Sequence, residues 1–247
     1  NLVGSTIPLF GGIILDVSRM NRVLELDRDT MTITVEPGML LKDLQAYVEE
    51  RGLFYPPDPG EKASSIGGNI STNAGGMRAV KYGVTRDYVS HLASMVVTRD
   101  YVRGLEVVLA DGTVLKVGGK QVKDASGLSL KHLLIGSEGT LAVITKCLLR
   151  LLPKPETTVS VLVPFAVLGT GIRSVLTILQ PNANPTAVEF MERKVVALGE
   201  SFSGVQYPRP DAGSYILLTF DGHESEVNAN IERVRRLALD NGAIDYI

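Results

Sequence analysis

The residues in this sequence best placed to do chemistry are glycines with small polar neighbours, not acids, bases or nucleophiles. Pro56-Pro57-Asp58-Pro59-Gly60 is followed by Ser64-Ser65-Ile66-Gly67-Gly68-Asn69, then by Thr72-Asn73-Ala74-Gly75-Gly76. Glycine lets the backbone come close to a ligand and takes up the positive φ that aims several N–H groups at one anion. Ser, Thr and Asn supply uncharged donors beside it. A dinucleotide pyrophosphate asks for this arrangement, and no lysine is needed. A lone Gly-Gly pair is commonly just a tight turn, whereas several clusters beside a rigid proline run point to a cofactor. Gly136-Ser137-Glu138-Gly139-Thr140-Leu141, before an apolar run, is a weaker instance of the same pattern.

Other chemistries find less support. No Gly-Lys-Ser/Thr completes a P-loop. No Gly-x-Gly-x-x-Gly stands at a strand–helix junction, so the two-layer nicotinamide-binding fold is unsupported. His91, His132 and His223 lie far apart without ligand spacing, and the single cysteine, Cys147, excludes an internal disulfide or a Cys-based metal site. Val-Thr-Arg-Asp-Tyr-Val occurs at 84–89 and again at 97–102. Two short copies do not make a solenoid, and they read as an insertion in a surface loop. Asp87 and Asp100 within them pair with no second carboxylate for acid–base work. No catalytic base and no metal ligand is assigned.

Composition sets outer bounds. The chain has 247 residues, 45% hydrophobic and 21% charged, which is globular. A net charge of −2 with scattered Lys and Arg argues against nucleic acid and favours small molecules or proteins as partners. One cysteine fits a reducing, cytoplasmic compartment, and no apolar stretch of about 20 residues is present to span a membrane. Asn1–Thr6 shows no initiator Met or signal peptide, so the chain is expected to begin inside a domain.

The elements that must hold these residues follow from periodicity. Ile13–Val17 and Thr32–Val35 read as strands, the second ending at Pro37-Gly38. Met39–Arg51 places Leu41, Leu44 and Val48 at helical spacing before Gly52. Residues 55–76 are expected to form a long ordered loop. Leu105–Ala110 and Thr113–Val117 flank the hairpin signal Asp111-Gly112. Leu141–Leu152 reads as a buried strand, with Cys147 a small hydrophobe inside it, and Pro153-Lys154-Pro155 as a boundary. Beyond lie strands at Val159–Val163, Thr186–Met191 and Ser214–Phe220. They alternate with helices at Phe165–Leu179, Glu192–Gly199 and Glu224–Asn241, the last capped by Gly242, and a further strand is expected to start at Ile247. Such pairs predict a sheet with helices on one side, an α+β domain.

On Pro56–Gly60, Ile66–Asn69, Thr72–Gly76, Lys81-Tyr82-Gly83, Gly104–Gly112 and Gly136–Thr145 the chain resembles the FAD-linked oxidases of the vanillyl-alcohol-oxidase type. The nearest subgroup is that of the glycolate oxidase FAD subunit and D-lactate dehydrogenase. The resemblance implies an α+β fold. An FAD-binding domain over residues 1–152, incomplete at its N-terminus, is followed by part of a ferredoxin-like cap domain over residues 153–247. It implies FAD as cofactor, with Pro57 and Asp58 near the flavin end. Ser65, Gly67, Gly68, Thr72, Asn73 and Gly75, with Asn69 beside them, line the ribityl chain and pyrophosphate. Glu138, Gly139 and Ile144 complete the pocket.

Asn1–Ser5 resembles the tail of the family's pyrophosphate loop. The family's His-x-His, Gly-Asp-Gly-Asn and Glu-His residues, which hold a metal, bind the substrate carboxylate and supply the base, are expected beyond Ile247. The duplication interrupts a stretch that borders FAD in the family. The implied reaction is oxidation of a D-2-hydroxy acid of the glycolate or D-lactate type to the 2-oxo acid, by hydride transfer to flavin N5. The electrons then pass to an electron-transfer flavoprotein or an iron–sulfur subunit. Two alternatives stay open: a UDP-sugar enolpyruvyl reductase-like flavoenzyme using NADPH, and a catalytically incomplete fragment.

Overall fold

A computed structural model of the chain describes residues 4, 6–82, 101–123, 127–179 and 183–247. The duplicated segment, with Asp87, His91 and Asp100, lies almost wholly outside these residues, as does nearly all of Asn1–Ser5. The contacts divide the chain into two units, Asn1–Gly76 with Gly83–Lys154, and Met77–Tyr82 with Pro155–Ile247.

The first unit is built on alternating strands. β1 (Val23–Asp27) runs antiparallel to β2 (Thr32–Val35). In the turn between them the Asp27 carboxylate accepts hydrogen bonds from the N–H groups of Asp29 and Thr30 at 3.0 and 3.1 Å. Pro37 stops β2, because it cannot donate to a ladder. α1 (Leu41–Glu49) follows and buries Leu41, Leu44 and Val48, the spaced apolar positions, while Gly52 at φ 74° turns the chain into β3 (Leu53–Phe54). Then come α2 (Ile66–Ser71), α3 (Ala79–Tyr82, which belongs to the second unit), the hairpin of β4 (Val102–Val108) and β5 (Val114–Gly118), α4 (Leu130–Leu134), β6 (Val143–Arg150) and β7 (Leu152–Pro153). The main sheet has the order β1-β2-β6-β4-β5, and β3 pairs with β7. Ile33, Val35, Val102, Val107, Cys147 and Leu149 are fully buried in it. Burial pushes the Cys147 thiol well above its ordinary pKa, which fits a packing role and no thiolate chemistry.

Two readings of this half need correction. Ile13–Val17 is not a strand: Ile13 and Ile14 are 97% and 73% exposed, and no described strand pairs with them. β propensity makes a strand only where a partner supplies the ladder. Residues 55–76 are not all loop, because α2 occupies Ile66–Ser71. β1 went unread because its pattern is weak and its Leu24 is exposed.

Although β1 and β5 are the outer strands, Lys120, just past β5, donates to Glu25 Oε1 at 2.7 Å and Asp27 Oδ2 at 2.8 Å on β1. Arg22 likewise grips the buried Glu36 carboxylate through its backbone N–H at 2.9 Å and its guanidinium at 2.8 Å. Hydrogen bonds from Lys120 hold Asp27 well below the usual carboxylate range, those from Arg22 lower Glu36, and the one from Lys146 lowers Glu106. Carboxylates with depressed folded-state pKa values stabilise the fold above their unfolded pKa, about 4, and that contribution is lost as pH falls further. The urea midpoint should therefore hold near neutrality and drop steadily below about pH 4, with a shallower drop in Lys120→Met. An equal midpoint at pH 6 and pH 3 would contradict this.

The second unit is an antiparallel sheet in the order β8-β10-β9, from β8 (Thr157–Phe165), β9 (Ala187–Glu192) and β10 (Ser214–Gly222). α5 (Leu168–Leu179) and α7 (Glu224–Asp240) cover one face: Ile178, Val227, Val234 and Ala238 pack on Val161, Val163, Phe165, Ile216, Leu218 and Phe220. α6 (Arg193–Ser203) instead packs Val196 with Tyr215. Tyr215 points opposite to Ile216 in the pleat, so the helices are not confined to one side as expected. The last residues run beside β8, where Leu162 and Ile247 exchange N–H···O bonds of 2.8 and 2.9 Å and the Ile244 N–H donates to Pro164 O. This gives the strand order of a ferredoxin-like α+β domain, with pairing that starts before Ile247.

Candidate functional site

α2 carries two adjacent glycines, each costing a helix about 1 kcal/mol relative to alanine. What offsets them is local: Ser65 Oγ caps the helix by accepting from the Gly68 N–H at 3.2 Å, and Ile66 and Ile70 are fully buried beneath it. The two glycines serve different ends. Gly67 is buried, its N–H donates to Pro37 O at 2.8 Å, and a Cβ there would lie 2.6 Å from Pro37 Cβ. Gly68 faces outward, and its Cβ would meet only Ser65 Oγ, at 3.0 Å.

The second glycine motif docks on the end of this helix. The Gly136 N–H donates to Ile70 O at 3.0 Å and the Glu138 N–H to Ser71 O at 2.8 Å. Asn73, Gly136, Glu138 and Gly139 all have left-handed φ, at 49°, 80°, 52° and 77°. The N–H groups of Asn73 and Gly136 both bond to Ile70 O and that of Glu138 to Ser71 O, so these left-handed turns shape the surface and leave Gly139 as its exposed backbone. A Cβ on Gly139 would meet nothing within 4 Å, so a ligand can reach this backbone. Residues more than sixty positions apart in sequence thus form one exposed surface bearing Gly68, Thr72, Glu138 and Gly139.

Two threonine hydroxyls of this surface donate within the protein. Thr72 Oγ1 donates to Gly68 O at 3.0 Å and Thr140 Oγ1 to Ser137 O at 2.6 Å. Asn69 is buried, and its carbonyl accepts from the Ala74 N–H at 2.8 Å, closing the turn after α2. Pro57 and Asp58 are buried too. Asp58 pairs with Lys62 and accepts from Gln45 Nε2 at 3.2 Å, and the same amide donates to Pro57 O. Gly76 lies so close to Asp58 that a Cβ would fall within the Asp58 carbonyl, with Pro59 N 2.7 Å away. Gly75 sits between this contact and the Asn73 turn. Ile144 is buried on β6, the strand against which α2 packs, so it supports the surface from below.

Sequence reasoning missed Gln45 and Lys62. The i, i+4 spacing of Asp58 and Lys62 was a readable hint, whereas Gln45 is joined to Asp58 only by the fold. A cavity of about 410 Å³ between Ser18, Asn21, Gly38, Asp43 and Tyr47 contains none of the glycine-motif residues. Among the described residues no cluster of His, Cys, Asp or Glu could hold a metal, and no helix is long and apolar enough to cross a membrane.

The open, left-handed backbone at 136–139 beside α2 fits one wall of a dinucleotide site. Comparison with known proteins agrees. Residues 1–96 match the family described as FAD binding domain, and residues 154–247 match FAD linked oxidases, C-terminal domain. The chain is 41% identical to a D-lactate dehydrogenase of Anaerostipes hadrus, covering 100% of this chain and 50% of that protein. It is 38% identical to glycolate oxidase subunit GlcD of Bacillus subtilis (strain 168), covering 99% and 49%. The chain spans about half the length of the curated relatives it matches. Among solved structures, alkyldihydroxyacetonephosphate synthase superposes with a TM-score of 0.73 at 20% identity, over 93% of this chain and 42% of that one. That likeness is one of fold, the vanillyl-alcohol-oxidase type. The chain belongs to the FAD-linked oxidases, with an FAD-binding domain followed by the family's C-terminal domain.

Proposed function

We propose that this chain is the FAD-carrying part of an enzyme that oxidises a D-2-hydroxy acid of the glycolate or D-lactate type to the 2-oxo acid. The observation that carries this reading is 41% identity to a D-lactate dehydrogenase along the whole chain. FAD, when bound, supplies the acceptor for the hydride leaving the substrate α-carbon. The chain's own part is to bind and orient it. The exposed backbone at Gly139 beside α2 receives the pyrophosphate, while the N–H groups of Gly68, Asn73 and Gly136 bond to Ser65 Oγ and Ile70 O and fix the shape of the surface around it. The exposed Glu138 carboxylate would repel a phosphate but accepts hydrogen bonds from hydroxyls, so we place it against ribityl or ribose. Pro57, Asp58, Gly67 and Gly76 act from within, by holding the surface in shape, as Ile144 does from the sheet.

The electron acceptor in this reading is a protein, an electron-transfer flavoprotein or iron–sulfur subunit, as the subunit name of GlcD suggests. A cytoplasmic setting rests on the lone buried Cys147. The test is anaerobic mixing of the full-length enzyme with candidate substrates while recording flavin absorbance. Glycolate or D-lactate should bleach the flavin band and L-lactate should not. Bleaching by NADPH alone would favour the reductase alternative, and no bleaching by any 2-hydroxy acid would refute the proposal.

A further inference from the structure

Met77–Tyr82 follows the glycine segment directly, yet it belongs to the second unit. α3 within it is a four-residue helix, too short to persist without tertiary support. α3 packs against β9, and one residue of β10 adds polar support. Lys81 Nζ donates to both the carbonyl and Oδ1 of Asp221 at 2.6 Å, and Tyr82 donates through its hydroxyl to the same Oδ1 at 2.9 Å. The Lys81 ammonium also lies 5.3 Å from the centroid of the Tyr82 ring. The Asp221 side chain is 2% exposed and that of Lys81 21%, so this pair is largely withdrawn from water. A buried charge is retained only where its partners are well placed, and removing one partner leaves the other uncompensated.

We propose that Lys81, Tyr82 and Asp221 form a clasp that positions the exit of the glycine segment, and through it the FAD-facing backbone. The proposal rests on the reading that this backbone faces FAD. Its physical basis is continuity. Only Met77 to Val80 separate the clasp from Gly76, which is pressed against the Asp58 backbone with no room for a Cβ. Gly76 in turn lies just beyond the Asn73 turn on which Gly136 packs. Slack introduced at Lys81 is therefore transmitted to residues whose φ values shape the FAD-facing surface. Asp221 is a positioning residue that acts through α3.

The test compares Asp221→Asn with the parent in the full-length enzyme. Amide hydrogen exchange is followed by mass spectrometry without added FAD, and FAD dissociation is followed separately by flavin fluorescence. The clasp predicts exchange at least tenfold faster across residues 68–82, unchanged exchange in β2 and β6, and FAD release at least tenfold faster. Lys81→Met should reproduce this and Lys81→Arg should largely restore it. Should Asp221→Asn fail to fold, Tyr82→Phe removes one donor and should move both readouts in the same direction by a smaller factor. Unchanged exchange across residues 68–76, even with faster exchange at 77–82, would overturn the clasp. A parent enzyme that holds no FAD but whose variant shows the exchange change would reject the flavin reading and keep the clasp.

Discussion

Gly76→Ala should unfold the protein at markedly lower urea concentration, with a loss of roughly 3 kcal/mol or more, from overpacking together with left-handed strain. The new methyl would occupy the position of the Asp58 carbonyl, and the backbone at φ 156° is one that L side chains rarely adopt. Neither neighbour can give easily, since Asp58 is fixed by Lys62 and Gln45 and Pro59 has a locked φ. Gly60→Ala is the control, because its Cβ meets nothing within 4 Å, and it should shift stability by no more than about 0.5 kcal/mol. Equal urea midpoints for the two variants would show that Gly76 does not pack as described.

Gly67→Ala and Gly68→Ala, one residue apart, should behave in opposite ways. At Gly67 the methyl meets Pro37 Cβ at 2.6 Å and Pro37 O at 3.0 Å, so the helix must lift from the Pro37-Gly38 turn. A loss of about 2–3 kcal/mol is expected. At Gly68 the methyl meets only Ser65 Oγ at 3.0 Å, and alanine in a helix gains up to about 1 kcal/mol, so stability should hold or rise. FAD affinity should separate the pair the other way. Gly68→Ala places a methyl on the surface the cofactor approaches and should weaken binding at least tenfold, measured by flavin fluorescence on the folded protein. A Gly68→Ala variant that retains FAD at the parent's affinity would remove Gly68 from the site.

Much of the fold could be read from periodicity. Leu41, Leu44 and Val48 announce α1, Asp111-Gly112 announces the β4–β5 hairpin, and Val227, Val234 and Ala238 lie on the buried stripe of α7. Where reading failed, the deciding interaction was remote. Ile13–Val17 has a strand's composition but no described partner, and α2 hides its helical character behind two glycines whose cost is offset by Ser65 and by packing on Pro37. The alternation of strands and helices could not tell which face each helix takes, so α6 was assigned to the wrong side.

The site divides in the same way. Glycine content marks the segments where backbone comes close to something, but not what it comes close to. Gly67 approaches Pro37 and Gly76 approaches Asp58, whereas Gly60 and Gly139 meet nothing within 4 Å and Gly68 meets only Ser65 Oγ. The docking of Gly136 and Glu138 onto Ile70 and Ser71 could be inferred only through the family resemblance, because nothing in local spacing links the two motifs. The pairing of Lys81 with Asp221, across 140 positions, carried no sequence signal beyond the two charges.

Lys120 has a bearing on how the protein behaves when crowded. An outer strand presents unpaired N–H and C=O groups that another chain can extend, the first step of edge-to-edge aggregation. By bonding to Glu25 and Asp27 from the far margin of the sheet, this one ammonium draws both margins under a single charged strap, where an incoming strand would have to displace it. Lys120→Met is therefore expected to lower the concentration at which the protein aggregates, although the side chain contributes nothing to the core.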